Sequence, residues 1–234
     1  MKFFLISFFV SCLFNYKAFS LDTIAKQAIL YDYETKTIIF EKNSEELMSP
    51  SSMSKIMTIY YVFKKIKDGD LKLTDKFKVS KKAWKKGGSK MFVNVNTMVS
   101  VEDLIRGIIV QSGNDACIAI AEGISGSEAL FAEELNLLAK EIGMINSSFT
   151  NSTGWPDPDH LTTIQDLLTL TIRTIEDFPE LYYYYAEKEF TYSGIRQLNR
   201  NPLLFNEINA DGLKTGHTSL GGYGLVASVL KNNR

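Results

Sequence analysis

The sequence predicts a mixed α/β domain, and three observations predict it. Two β-rich runs, Ala28 to Tyr31 and Thr37 to Phe40, are joined by the polar stretch Asp32 to Lys36 and read as an antiparallel hairpin. Between residues 50 and 175, several segments carry apolar side chains at helical spacing. Further β-rich runs, Phe190 to Tyr192 and Gly222 to Leu230, follow them. At 234 residues, with 45% hydrophobic and 23% charged side chains, the chain is long enough for one substantial core and carries no mark of disorder. A formal net charge of −1 lacks the basic excess on which nucleic-acid binding is normally built, so no nucleic-acid partner is expected.

The first twenty residues read as a secretory leader. Lys2 gives a positive start, Phe3 to Phe14 is an uncharged apolar run, and Ala18-Phe19-Ser20 puts small residues where a signal peptidase reads. Cleavage after Ser20 and export are expected, which leaves residues 21–234 as the folded domain. The apolar run is too short for a spanning helix, which needs about 20 residues. Cys12 leaves with the leader or, in a second reading, is the lipid-modified first residue of a lipoprotein. Cys117 then has no internal disulfide partner and, within the apolar stretch Ala116 to Ala121, reads as a small core residue.

In chain order after the hairpin, a helix is expected from Pro50. Ile56, Ile59, Tyr60, Phe63 and Ile66 mark its apolar face, and Gly69 stops it after the basic turn of Lys64, Lys65 and Lys67. Residues 68–100 read as loops with short strands at Phe77-Lys78-Val79 and Met91-Phe92-Val93. Lys81, Lys82, Lys85, Lys86 and Lys90 form a solvated face or, alternatively, a contact for an anionic polymer. Ser100 and Asp103 outline a capping box ahead of Leu104, Ile105, Ile108 and Ile109. That helix ends at Gln111-Ser112-Gly113-Asn114, and a further one covers Asp115 to Glu122. Ser127 caps another, with Phe131, Leu135, Leu138 and Ile142 on one stripe and Gly143 as the stop. Residues 144–162, with Gly154, Pro156 and Pro158, form a loop. Asn146-Ser147-Ser148 and Asn151-Ser152-Thr153 match the glycosylation triplet, a pattern common by chance. Thr163 with Asp166 caps a helix carrying Ile164, Leu167, Leu168, Ile172 and Ile175.

The chemistry concentrates at Pro50-Ser-Ser-Met-Ser-Lys-Ile-Met-Thr58. Ser52 and Lys55 are three residues apart in an expected first helical turn, so hydroxyl and amine share one face. A serine is a poor nucleophile until a neighbour takes its proton, and Lys55 is the one base within assured reach. It must be neutral to act, and bringing a lysine from roughly 10.4 to near 7 takes about 4 to 5 kcal/mol, which burial and a nearby cation supply. The bland alternative is a capping serine beside a solvated lysine, and Ser228 and Lys231 repeat the spacing by chance. Ser112-Gly113-Asn114 follows Ser52 by sixty residues, and Lys214-Thr215-Gly216 lies about a hundred further on. Singly these read as a turn and a strand entry. The order Ser-x-x-Lys, Ser-x-Asn, Lys-Thr-Gly is the signature set of penicillin-binding proteins and serine β-lactamases.

The chain resembles the D-alanyl-D-alanine carboxypeptidases, the low-molecular-mass penicillin-binding proteins of bacterial cell walls, from about Ala28 to Ser228. Pro50 to Thr58 looks like that family's nucleophile stretch, and Leu104 to Cys117 like its second motif. Gly194 to Asn201 together with Asp211 to Thr218 looks like its third. The resemblance implies a β-lactamase-like α/β fold, a mostly antiparallel sheet flanked by helices with Ser52 opening the central helix. It implies a serine carboxypeptidase that removes the terminal D-alanine of peptidoglycan stem peptides through an acyl-enzyme, and β-lactam antibiotics as covalent inhibitors. It brings Lys214 into the cleft, where it is the expected cation beside Lys55. Lys55 is then the general base, and Ser112 returns the proton to the leaving amine. Asn114 holds a substrate amide. Lys214, Thr215 and Arg200 take the free carboxylate. The N–H groups of Ser52 and of His217, which follows Gly216, form the oxyanion hole, whose donors are worth roughly 3 to 4 kcal/mol each. No cofactor is implied, and His160 and His217 without a His-Glu-x-x-His pattern give no metal ligand set.

Relatives of this kind continue past the position of Arg234 with another strand, a β-rich domain and an amphipathic anchor helix. The expected domain is therefore C-terminally incomplete and carries no membrane anchor, and an exposed sheet edge is expected. Two further functions stay open on the sequence. One is a truncated, catalytically impaired penicillin-binding remnant. The other is a β-lactamase, which Ser-Gly-Asn in place of Ser-Asp-Asn and the absence of a recognisable deacylating Glu in Pro156 to His160 argue against. Location is expected in the periplasm or on the outer face of the cytoplasmic membrane, with a part in cell-wall biogenesis and cell shape.

Overall fold

The computed structural model describes residues 21–231; the expected leader, with Cys12, lies outside them. The centre of the fold is helix α1, Lys55–Lys67, preceded by a 3-10 turn over Ser51–Ser54. Every residue from Met53 to Phe63 is buried, so the first half of α1 is covered on all sides rather than along one stripe. Much of its cover is helical: α3 (Val101–Ile109), α5 (Glu128–Glu141) and α6 (Ile164–Asp177) all pack on it. Tyr60 and Phe63 meet Phe178, just past α6, edge-on with centroids 4.9 and 5.7 Å apart.

Local chemistry sets the helix starts. Ser100 and Thr163 accept N–H bonds from Asp103 and Asp166, three residues on, at 3.1 and 3.0 Å, and Ser127 accepts from Leu130 at 3.2 Å. Helix α4, Asn114–Ser125, leads from α3 into α5 and packs on both. The expected helix starts at Asp115 and Ser127 fall within a residue of those observed.

The strands pair antiparallel throughout: β1 (Ala28–Asp32) with β2 (Thr37–Lys42), β3 (Lys76–Lys78) with β4 (Met98–Ser100), β5 (Glu189–Tyr192) with β6 (Ile195–Leu198), and β7 (Ala210–Thr218) with β8 (Gly222–Val229). Among the described residues these are four two-stranded ribbons, and helices with antiparallel strands are the α/β class expected. Two local expectations differ. Lys81–Lys85 is a short helix, α2, capped by Ser80, where only loop and strand were expected. Met91-Phe92-Val93 is not a strand: the Asp115 carboxylate accepts the N–H groups of all three residues, at 2.8, 2.9 and 3.3 Å, and so takes up the donors a strand partner would have used. The lysines of this region are mostly solvated: Lys81, Lys82 and Lys85 are exposed, and Lys82 pairs with Glu128 at 2.8 Å.

Candidate active site

Ser52 is partly exposed in an otherwise buried turn, and the Lys55 amine lies 2.8 Å from its hydroxyl oxygen. The amine has two other partners, the Asn114 side-chain oxygen at 2.8 Å and the Thr153 backbone carbonyl at 2.6 Å. The Asn114 amide nitrogen donates to the Gly87 carbonyl at 2.9 Å, which orients its oxygen toward Lys55. Both oxygens can only accept. A neutral Lys55 therefore spends its two N–H groups on them and turns its lone pair to Ser52.

Burial, first of all, pushes Lys55 down to about 8, and Arg200 and Lys86 act in the same direction. Lys214, expected as the depressing cation, does interact electrostatically with Lys55. Lys214 is itself held well below its ordinary range by burial, and then by the charges of Lys55 and Arg200. Cys117, buried beside Lys55, is pushed up to about 12 by burial and stays a thiol.

Strand β7 supplies the opposite wall. It carries Lys214, Thr215, Gly216 and His217 past the serine turn, and a side chain at Gly216 would begin 2.9 Å from the Pro50 carbonyl oxygen and 3.2 Å from the Met53 nitrogen. Only glycine lets strand and turn lie this close. The Ser51 and Thr218 hydroxyls tie the same seam at 2.8 Å. The Lys214 amine donates to the Thr215 carbonyl at 3.2 Å, and His217 is exposed with its ring 4.0 Å from that of Tyr223. Arg200 is exposed and donates to the Ser89 hydroxyl at 2.6 Å. Ser112 is buried two residues before Asn114, with φ of 57°, and among the described residues its hydroxyl makes no hydrogen bond. The structure thus joins Ser52, Lys55 and Asn114 by direct bonds and lays β7 against them, while Ser112 shows no bond to either Ser52 or Lys55.

Several contributors have no motif of their own. Thr153 acts through its backbone, which carries no side-chain signature. Asn201 is buried, donates to the Gly212 carbonyl at 2.7 Å and so fixes Arg200 relative to β7. Trp155 faces Lys86, 4.1 Å from the ring centroid.

A hydroxyl bonded to a buried, acceptor-flanked amine, in a fold of helices and antiparallel ribbons, has the parts of a Ser–Lys acyl-transfer site. A family model described as D-alanyl-D-alanine carboxypeptidase matches residues 15–234, and the chain belongs to that family. It is similar to the D-alanyl-D-alanine carboxypeptidase DacA of Haemophilus influenzae, 42% identical over 213 residues, covering 89% of this chain and 54% of the relative. Among solved structures it resembles penicillin binding protein 5 of Haemophilus influenzae, with a TM-score of 0.89 and 41% identity over 92% of this chain and 63% of that one. It also resembles the ampicillin-bound penicillin-binding protein D2 of Listeria monocytogenes, with a TM-score of 0.81 and 26% identity over 91% of this chain and 87% of that one. The chain spans about half the length of the curated relatives it matches.

Proposed function

We propose that this domain is a serine D,D-carboxypeptidase that removes the terminal D-alanine from peptidoglycan stem peptides. Ser52 attacks the carbonyl carbon of the last peptide bond while its proton passes to Lys55. The C–N bond then breaks, the proton moves to the departing amine by way of Ser112, and the peptide remains as an ester on Ser52. Water attacks that ester and restores the serine. Asn114 holds the substrate amide, Lys214, Thr215 and Arg200 hold its carboxylate, and the Ser52 and His217 N–H groups receive the oxyanion. The domain meets β-lactams as covalent inhibitors. It works outside the cytoplasm after loss of the leader, in line with the leader-like first twenty residues. Among the described residues no helix is long and apolar enough to cross a membrane.

The observation that carries the reading is the 2.8 Å contact between Ser52 and an amine whose other two partners are acceptors. Incubation with a penicillin is expected to add one acyl mass, abolished in Ser52→Ala and slow to decay. A folded wild-type protein left unmodified overturns the enzyme reading, and rapid decay favours a β-lactamase.

A further inference from the structure

The segment 144–162 has no helix or strand of its own, yet two of its carbonyls reach into α1 at hydrogen-bond distance: Thr153 to Lys55 at 2.6 Å, and Ser152 to the Thr58 hydroxyl at 2.8 Å. Such placement of an irregular loop needs a fastening. Glu128 supplies one, accepting from the Ser152 hydroxyl at 2.9 Å. Another is His160, 1% exposed, with the ring of Phe149 edge-on at 5.6 Å. Its Nδ1 accepts the Thr150 N–H at 3.1 Å and lies 3.3 Å from the Asn151 amide nitrogen, both donors. Nδ1 therefore has no room for a proton, and Nε2 carries it and donates to the Ser54 hydroxyl at 2.7 Å. One ring thus joins the middle of the loop and its C-terminal end to the residue next to Lys55.

We propose that His160 is a positioning residue for acyl transfer: it clamps residues 150–154 onto the serine turn, so that the Thr153 carbonyl keeps water from Lys55 and aims the amine at Ser52. The inference rests on the acyl-transfer reading of the site. His160 touches no reacting atom. Its pKa, held down to about 4 chiefly by burial, keeps the ring neutral and the clamp closed at ordinary pH. The charged groups facing His160 are Asp157 and Lys55; those facing Lys55 are Arg200, Lys86, Lys214 and Asp115, with the Cys117 thiol. His160→Ala and Ser54→Ala break the clamp from its two sides and leave all of these in place.

The test follows the second-order rate of penicillin acylation by mass from pH 5 to 10, in wild type, His160→Ala, Ser54→Ala and a remote core control, Leu71→Ala. Both clamp variants are expected to lose about tenfold or more in rate at pH 7.5. Their rising limb should also move up by about one pH unit, as water reaches the amine. Leu71→Ala should lower Tm and leave the limb in place. His160→Gln, whose amide can again donate to Ser54, should recover much of the rate. Should His160→Ala not fold, Ser54→Ala reads the same bond. A limb unmoved in the folded clamp variants overturns the inference and leaves His160 a structural residue, whereas a wild type without any acylation overturns the underlying reading instead.

Discussion

Lys55 owes its lowered proton affinity to its surroundings. A lysine amine buried without a carboxylate partner favours its neutral form, and two acceptor oxygens leave that form a single direction for its lone pair. With Lys55 at about 8, acylation is expected to fall about tenfold per pH unit below that value and level off above it, as read by penicillin acylation across pH. Stability has the same sign. The unfolded lysine holds its proton up to its ordinary value of 10.5, so between about 8 and 10.5 the unfolded chain binds more protons and stability climbs with pH. Below 8 the full cost of the buried charge, about 3 kcal/mol, is present. Denaturant unfolding of Lys55→Met should lack that part of the slope. The Ser52–Lys55 pair was legible in the sequence because three-residue spacing is a local rule. The Thr153 carbonyl was not, since any residue carries one, and His160 drew notice only as a metal ligand lacking partners.

At the scale of the element, the segment Gly87 to Val93 shows how a loop wall is held. Asp115, fully buried at the start of α4, accepts three of its backbone N–H groups and that of Ala116. Asp115→Ala leaves those donors buried and unpaired, with an expected cost of about 3 kcal/mol or more in thermal or denaturant unfolding. Faster amide exchange is expected at Met91 to Val93. Asp115→Asn, with one acceptor oxygen in place of two, should fall between the two proteins. The same bonds explain why Met91-Phe92-Val93 looked like a strand: its composition is right, and a carboxylate more than twenty residues on decides otherwise. Helix caps at Ser100, Ser127 and Thr163 read correctly because a cap and its N–H lie within one turn. Helix α2 escaped notice because five lysine-rich residues are too short to show a period.

Across the whole molecule, the class was legible from hairpin, helices and motif order, while the number and pairing of ribbons was not, because strand partners are set by contacts far apart in sequence. Strand β8 is paired on one side only among the described residues, and Tyr223, Leu225 and Val229 on it are 90, 42 and 43% exposed. Unpaired edges with apolar side chains pair with one another. Residues 21–234 are therefore expected to self-associate as concentration rises in sedimentation velocity, and Leu225→Lys to reduce it; a strict monomer throughout would contradict this. The seam between β7 and the serine turn, where Gly216 meets Pro50 and Met53, has a consequence in time as well as in space. A chain emerging from the ribosome presents Ser52 early and β7 late, so a half-made copy has the serine turn without its opposite wall. On the function proposed above, such a copy lacks the strand that would hold a substrate carboxylate, and the site is complete only once β7 docks on the serine turn.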